Sequence, residues 1–384
     1  MVQFSEEHEL FRQSVRQFVE KELNPHVDEW EEAGIFPAHE VFKKMGDLGF
    51  LGLEYEPEYG GGGVDHLFTV VLGEELGRCD AAGPAMGISV QTDMATPALA
   101  QHGSPELKKQ YLEPAIRGDY VASIAVTEPD AGSDVAGLKT TARRDGDDYV
   151  INGSKIFITN STQADFLALL ARTSEEGGYR GMSLIVVPTD RAGFRVSRKL
   201  EKLGNWSSDT GELSFEDVRV PVTNRIGPEG RGFQLQMQQF QKERLIASYM
   251  SVGGMEKAIE RTISYVKERH AFGAPLAANQ SIQFALAELI AAVEMQKHFN
   301  YACAEMVVRG EDATYLATIG KLNSSRLARK VADTCLQYHG GMGYMAEMWT
   351  SRYFRDARLN SIGGGADEVM LRILSRAAGV ATDD

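Results

Sequence analysis

Cysteine is scarce in this chain of 384 residues, which contains three: Cys79, Cys303 and Cys335. Because they are odd in number and widely spaced, the sequence predicts neither a disulfide framework nor a thiolate metal site. The eight histidines show no His-x-x-x-His or similar ligand spacing. We therefore expect no bound metal.

Positive charge is also in deficit, with 40 lysines and arginines against 54 acidic residues and a formal net charge of −14. This balance predicts no nucleic-acid partner and no anionic membrane partner, although it allows a local basic pocket for a phosphorylated ligand. No apolar run approaches a membrane-spanning length, and the N-terminal stretch "MVQFSEEHELFRQSV" resembles neither a signal peptide nor a transit peptide. The sequence thus predicts a cytoplasmic protein.

The apolar pattern changes twice along the chain. The first third has helical spacing, with Ser5 as a candidate N-cap ahead of acidic residues. Short β-rich runs with Gly or Pro punctuation follow, and long amphipathic helices return after "IGPEGRGF". These patterns predict an α+β protein with an N-terminal helical domain (1–120), a middle β-barrel or sandwich domain (121–229) and a C-terminal helical domain (230–384).

Two local signals predict turns or stops. Asn152-Gly153 lies between two β-rich runs in "DDYVINGSKIFIT", which favours a β-hairpin with its turn at these residues. Gly340-Gly341 follows a periodic apolar run that ends at Tyr338, which favours the end of a helix.

Two glycine runs, "YGGGGVD" and "SIGGGADEVM", raise the possibility of a phosphate-binding loop. Neither follows a strand in a βαβ unit, and neither ends in the Gly-Lys-Ser/Thr of a P-loop, so a dinucleotide or P-loop site is not indicated. The stretch "VTEPDAGSD" fits either an ordinary turn or, through Gly132, a close approach of backbone N–H groups to a ligand. Ser133 has no histidine placed to make it a nucleophile.

Glu243, in "QKERLIAS", has two readings. A glutamate on a helix is usually solvated or paired. A general base would instead lie in an apolar pocket that raises its pKa towards the working pH. Helical periodicity does not distinguish these readings, so both remain open.

Several segments occur together in an order typical of one enzyme family. They are "VTEPDAGSD", "INGSKIFITN", "FEDVRVP", "GPEGRGF", "ERHAFG", "QYHGGMGY" and "SIGGGADEVM". Through them the chain resembles the acyl-CoA dehydrogenases over essentially its whole length. The resemblance implies an N-terminal helical domain, a central β domain and a C-terminal four-helix bundle. It also implies an FAD enzyme that converts an acyl-CoA to a trans-2-enoyl-CoA and passes the electrons to an electron-transferring flavoprotein.

The same resemblance assigns FAD contacts in groups. Those along the isoalloxazine ring are Ile124, Val126, Thr127, Gly132, Ser133, Phe157, Ile158 and Thr159. Those that the family takes from the neighbouring subunit are Arg269, Phe272, Gln280, Gln337, Gly340 and Gly341. Ala366 and Glu368 match further FAD positions, and Phe157 stands where the family often has Trp. A site shared in this way implies a homo-oligomer, at least a dimer and normally a dimer of dimers.

The family's commonest catalytic loop is Tyr-Glu-Gly-Thr, whose Glu is the base. The matching positions here begin at Gly363 and place Gly364 where that Glu stands, so the usual base is absent. Isovaleryl-type and long-chain-type members carry the base on a helix in a Glu-Arg-Leu context, and this sequence has Glu243-Arg244-Leu245. The resemblance therefore implies Glu243 as the base.

Gly364 keeps a role in this scheme through its backbone N–H, which would donate to the thioester carbonyl of the substrate. The acyl-CoA contacts implied by position are Ser133, Gln241, Arg244 and Gly365. Since Gly364 has no side chain, we expect room for a methyl branch or a bulkier acyl chain. "SIGGGADEVM" together with "NWSSDT" is also similar to citronellyl-CoA dehydrogenases, which act on a 3-methyl-branched chain.

Two other functions stay open on the same fold. One is an acyl-CoA oxidase or a flavin monooxygenase, which would react with oxygen. The other is a flavin- or acyl-CoA-binding homologue without turnover.

Overall fold

The computed structural model describes residues 2–176 and 178–380, and the chain begins with helices. They are α1 (Glu6–Phe18), α2 (Val27–Ala33), α3 (Ala38–Asp47), α4 (His66–Gly77), α5 (Ala82–Ser89), α6 (Pro97–His102), α7 (Pro105–Leu107) and α8 (Glu113–Ile116), with π-helical turns at Val19–Leu23, Val90–Ala95 and Lys108–Leu112. Ser5 caps α1 as predicted, because its side chain accepts the His8 N–H and His8 Nδ1 accepts the Ser5 N–H at 3.0 Å.

A β unit follows the helices. Its strands are β1 (Ala122–Ala125), β2 (Thr141–Asp145), β3 (Asp148–Thr159), β4 (Phe166–Arg172), β5 (Met182–Pro188), β6 (Phe194–Lys199), β7 (Thr210–Pro221) and β8 (Arg225–Ile226). The sheet order is β6-β7-β3-β2-β4-β5-β8, and β1 pairs in parallel with β4. The central strand β4 is apolar from Phe166 to Ala171, as expected of a strand with both faces covered. Phe166 and Leu170 pack towards the N-terminal helices, whereas Leu167 and Leu169 pack inside the β unit.

The predicted hairpin turn at Asn152-Gly153 is wrong. Both residues lie inside β3, and the turn that joins β2 to β3 is formed by Gly146 and Asp147. Gly153 lies instead at an irregularity in the pairing of β3 with β7, with φ of +150°. A Cβ at this position would collide with Thr140. The Asn-Gly pair therefore marks a bulge within a strand, where glycine is needed for close approach.

The C-terminal part returns to helices. They are α9 (Gly232–Glu268), α10 (Gln280–Val308), α11 (Thr314–Tyr338), α12 (Gly340–Gly343), α13 (Trp349–Ala357) and α14 (Asp367–Ala377), with a small hairpin of β9 (His270–Ala271) and β10 (Ala274–Pro275) after α9. As predicted, α11 ends at Tyr338, and Gly340 has φ of +59°. Helix α9 packs against α10 and α11, and α14 packs against α11. Residues 381–384, the last part of the predicted C-terminal domain, lie outside the described residues.

Helices α4 and α9 approach each other closely because glycines lie at their contact. A Cβ on Gly77 would collide with the backbone of Met250, and one on Gly253 would collide with the backbone of Glu74. The N-terminal unit therefore lies directly against α9, the helix that carries Glu243. Within the described residues, no helix has the length and apolar character needed to cross a membrane.

We expect Gly253→Ala to destabilise the protein by about 1–3 kcal/mol, because the added methyl group forces α9 away from α4. Gly254→Ala is the matched control on the same helix, since its Cβ would meet its nearest neighbour, the Gly77 carbonyl oxygen, at 3.2 Å. Urea unfolding of both variants measures the difference. Equal stabilities would show that the glycine contact does not limit the packing of α9.

Candidate functional site

Glu243 lies on α9 and is 6% exposed. Its Oε1 atom accepts hydrogen bonds from Gln236 Nε2 at 3.3 Å and from Gln239 Nε2 at 3.2 Å. Burial raises the pKa of Glu243 to about 7, and the charge on Asp93 adds to this, whereas Gln239, Arg244 and Gln236 oppose it. A carboxyl with its pKa near neutrality is ionised often enough to accept a proton and basic enough to hold it. The structure thus places Glu243 in the buried environment that a base requires.

Arg244, the next residue on α9, contacts helix α11. Its guanidinium is buried and donates to Thr318 Oγ1 on α11 at 3.1 Å, and its Nε has no hydrogen-bond partner among residues 2–176 and 178–380. Burial lowers the pKa of Arg244, and the charge on Glu243 partly compensates. Gln241, two residues before Glu243, accepts a hydrogen bond from Thr314 at 3.1 Å. Residues 241–244 are therefore anchored to the start of α11.

The glycine loop 363–365 lies at the other end of this cluster. Lys321, which is buried on α11, donates a hydrogen bond to the carbonyl of Gly365. Burial lowers the pKa of Lys321 to about 8, and the neighbouring charge of Arg244 contributes to this. Arg244 on α9 and Gly365 in the loop are therefore both hydrogen-bonded to α11, through Thr318 and Lys321.

Gly364 is exposed and has φ of +61°, a conformation that favours glycine. A Cβ at this position would meet nothing within 4 Å. Among the described residues, no protein acceptor takes the hydrogen of the Gly364 N–H. This N–H is therefore available to an acceptor on a ligand. Beyond the loop, Ala366 is the N-cap of α14, and Glu368 is an exposed residue in its first turn.

The predicted ring-contact residues of the β unit lie side by side at the ends of β1 and β3. Lys155 Nζ donates to the Val126 carbonyl at 2.9 Å, and Ile156 N–H donates to the Thr127 carbonyl at 2.9 Å. Ser123 Oγ on β1 donates to the Thr159 carbonyl at 2.5 Å. Ile124, half-buried on β1, and Ile158, buried on β3, support this edge, and the turn with Gly132 and Ser133 is exposed beside it.

Phe157 has an unusual backbone at this edge. Its φ is +62°, it lies at an irregularity in the pairing of β3 with β7, and its side chain is 65% exposed. A bulky residue at positive φ is strained, and such strain is typical of binding sites. Within the described chain, neither the N–H nor the hydroxyl of Thr127 has a protein partner. The edge thus offers an open aromatic ring and two free donors.

The remaining predicted cofactor residues lie on a separate exposed surface. Arg269 follows α9, and Phe272 forms the tip of the β9–β10 turn, fully exposed and with φ of +52°. Gln280 begins α10, and Gln337, Gly340 and Gly341 lie at the end of α11; all are exposed. The stacked rings of Tyr265 and His339, with centroids 4.1 Å apart, bring the two segments together. In the described residues, no hydrogen bond or ring contact joins them to Thr127 or Phe157 of the same chain.

The sequence analysis missed three residues near Glu243 and one, Lys321, beside Arg244. Gln236 and Gln239 precede it by seven and four positions on one helix, so helical spacing could have identified them. Asp93 and Lys321 come from distant segments and have no local signal. Burial raises the pKa of Asp93 to about 6, and the side chain of Thr92 donates to it at 2.5 Å.

The chain matches the models of all three domains of one family. The acyl-CoA dehydrogenase N-terminal domain matches residues 5–119, the middle domain matches 123–218, and the C-terminal domain matches 230–379. The chain belongs to the acyl-CoA dehydrogenase family. This confirms the family and the three-part fold that the sequence predicted.

Individual relatives agree. The chain is 38% identical to the mitochondrial long-chain specific acyl-CoA dehydrogenase of Sus scrofa, over 97% of this chain and 86% of that protein. It is 35% identical to the mitochondrial short-chain specific acyl-CoA dehydrogenase of Rattus norvegicus, over 97% and 90%. The solved structure of an acyl-CoA dehydrogenase from Geobacillus kaustophilus has 38% identity and a TM-score of 0.94, with 98% of both chains covered. Relatives named for long and for short chains thus match almost equally.

Members of this family are oxidoreductases that act on acyl-CoA and are flavoproteins, typically dependent on FAD. The chemistry of the available groups fits such a cofactor. Thr127 offers unpaired donors to a ring edge, and Phe157 offers an exposed aromatic surface. The exposed Arg269 guanidinium forms no ion pair in the described residues, which suits a pyrophosphate.

The raised pKa of Glu243 predicts a pH-dependent stability. The folded state holds the proton to a pKa of about 7, whereas the unfolded chain releases it near 4.5, so the folded state binds more protons between these values. The free energy of unfolding therefore falls as pH rises through this window. We expect Glu243→Gln to gain roughly 3 kcal/mol over the wild type between about pH 5 and about pH 8, measured by urea unfolding.

Glu268→Gln, an exposed glutamate at the end of the same helix, is the control and should follow the wild type. A difference between wild type and Glu243→Gln that stays constant with pH would contradict the raised pKa.

Proposed function

We propose that this chain is an FAD-dependent acyl-CoA dehydrogenase that uses Glu243 as its general base. The observation that carries the proposal is a buried helical carboxyl with a pKa of about 7 in a chain whose loop has glycine at 364. A base on a helix can reach the same α-carbon as a base on a loop. The loss of the loop carboxylate is thus compensated by α9.

The residues of the chain divide the reaction between them. Glu243 accepts the α-proton of the acyl thioester at one of its carboxylate oxygens. The free N–H of Gly364 donates to the thioester carbonyl, where negative charge develops as the proton leaves. FAD supplies the acceptor for the hydride that leaves the β-carbon. Burial of Glu243 limits the access of water to its carboxylate, which strengthens the electrostatic interactions of that group.

Flavin binding is supported by two surfaces. The Thr127–Phe157 edge would hold the isoalloxazine ring, and the exposed surface with Arg269 and Phe272 would contact the pyrophosphate and adenine of a flavin in a second copy of the chain. A fully exposed phenylalanine at positive φ is costly in a monomer, which supports this exchange between copies. The active species in this proposal is therefore a homo-oligomer, at least a dimer, and a dimer of dimers is compatible with it. The electrons then pass to an electron-transferring flavoprotein.

The acyl chain we propose is branched or of medium to long length. The support is the absence of a side chain at Gly364, where a Cβ would meet nothing within 4 Å. Ser133, Gln241 and Arg244 lie along the remainder of the acyl-CoA in this proposal.

Flavin-loaded enzyme mixed anaerobically with straight-chain and 3-methyl-branched acyl-CoAs tests the function. We expect bleaching of the flavin, fastest with branched or longer chains, and a loss of roughly a hundred- to ten-thousand-fold in Glu243→Gln. Glu268→Gln should bleach as the wild type does.

Full activity in Glu243→Gln would exclude it as the base. Rapid peroxide formation by the substrate-reduced enzyme in air would favour an oxidase or a monooxygenase. If no acyl-CoA bleaches the wild type, the non-catalytic alternative is correct.

The strained backbone of Phe157 gives a second test. Phe157→Gly should weaken flavin affinity by removing the ring, yet raise the stability of the flavin-free protein by about 1 kcal/mol, because glycine adopts positive φ freely. Phe157→Ala is the matched variant, since it removes the ring but keeps the strain. Calorimetric flavin titration and thermal unfolding measure the two effects. Unchanged flavin affinity in both variants would remove Phe157 from the proposed site.

A further inference from the structure

Two buried amides converge on one oxygen of Glu243. Gln236 and Gln239 each donate from Nε2 to Glu243 Oε1, at 3.3 and 3.2 Å. Gln236 is fully buried and Gln239 is 5% exposed, so water does not replace these bonds. Both amides therefore stabilise the ionised carboxylate and oppose the effect of burial on its pKa.

The two amides differ in how they are held. Gln239 Oε1 accepts the Ala98 N–H at 3.1 Å, and its Nε2 also donates to the Met94 carbonyl. Hydrogen bonds at both Oε1 and Nε2 therefore fix the orientation of the Gln239 amide. Within the part of the chain that the structure describes, the Gln236 side chain has a hydrogen bond only to Glu243, and its Oε1 is buried without a partner. A buried acceptor without a donor costs free energy. This favours a second state of the site in which Gln236 Oε1 accepts a hydrogen bond.

A general base has two states with opposite hydrogen-bond needs. As a carboxylate, Glu243 accepts N–H donors; after it takes a proton, it also has an O–H to donate. Gln239 presents its Nε2 to Glu243, and reversing this amide to accept the O–H would break its hydrogen bonds to Ala98 and Met94. Gln236 can accept it after its amide reverses, which exchanges Nε2 for the unpartnered Oε1 without moving the rest of the side chain.

We propose that Gln236 and Gln239 form a carboxamide clamp with divided roles around Glu243. Gln239 fixes the direction of the carboxylate, and Gln236 reverses its amide to accept the proton that Glu243 has gained. Both are positioning residues, and the use of the clamp in turnover rests on the proposed function of Glu243. The proton moves from the α-carbon to Glu243, and the amides exchange only hydrogen bonds.

Charged groups around the clamp also affect the ionisation of Glu243. Arg244 on the same helix favours the carboxylate, and Asp93 on the π-helical turn Val90–Ala95 disfavours it. The charges of Glu54, Lys242 and His66 in turn affect the pKa of Asp93. These three residues form a hydrogen-bonded group of their own. Lys321 on α11 lies beside Arg244. Substituting the glutamines leaves all of these charges in place. A shift in the pKa of Glu243 would therefore result from the loss of the amide hydrogen bonds.

Infrared titration of the flavin-loaded enzyme tests the clamp directly. The carboxyl band of protonated Glu243 is the one that disappears in Glu243→Gln. We expect Gln239→Met, which keeps the length but loses the donor, to raise the pKa of Glu243 by about one unit. The acid limb of kcat/KM should move upward with it, with little change in KM. Gln238→Met, exposed on the same helix, is the control and should leave both unchanged.

Gln236→Met should shift the carboxyl band itself to the position of an acid without a hydrogen-bond acceptor. In the wild type this band should lie at the position of a hydrogen-bonded acid, a measurement that needs no clamp variant to fold. A wild-type band typical of a free acid, or one unchanged by Gln236→Met, would overturn the reversal. An unchanged titration in Gln239→Met would overturn the clamp. Expected infrared shifts combined with a fully active Glu243→Gln would leave the clamp standing and refute the base.

Discussion

The packing of α9 between the N-terminal helices and α11 is the constraint on which the candidate site depends. Glycines such as Gly77 and Gly253 let α4 and α9 approach to backbone contact, and this closes one side of α9 to water. Thr318 and Lys321 on α11 close the other side. Because the desolvated region includes Glu243, the same packing that holds the units together produces a carboxyl with a raised pKa.

The candidate site contains strained or unpartnered groups. Phe157 has positive φ, and among the described residues the exposed Gly364 N–H has no acceptor and the buried Arg244 Nε has no partner. In the proposed function, the flavin or the thioester would contact these groups. Strained backbone such as that of Phe157 is typical of functional sites.

Sequence patterns predicted the architecture better than the local turns. Helical periodicity and the Ser5 cap were confirmed because they depend on neighbours within one or two turns. The Asn152-Gly153 prediction failed because a turn signal does not contain the register of the partner strand. In the structure, β7 pairs along both sides of this dipeptide and converts it into a bulge. Pairing between distant strands therefore overrode a local preference.

The sequence by itself determined the family, the order of its three units, the absence of a carboxylate at Gly364 and the presence of Glu243 on a helix. Only the tertiary structure decided that Glu243 is buried, that Gln236 and Gln239 hold one of its oxygens, and that Asp93 approaches from another segment. The reason is physical: residue identity sets which groups can ionise, whereas the pKa depends on desolvation and on charges that folding brings from far along the chain.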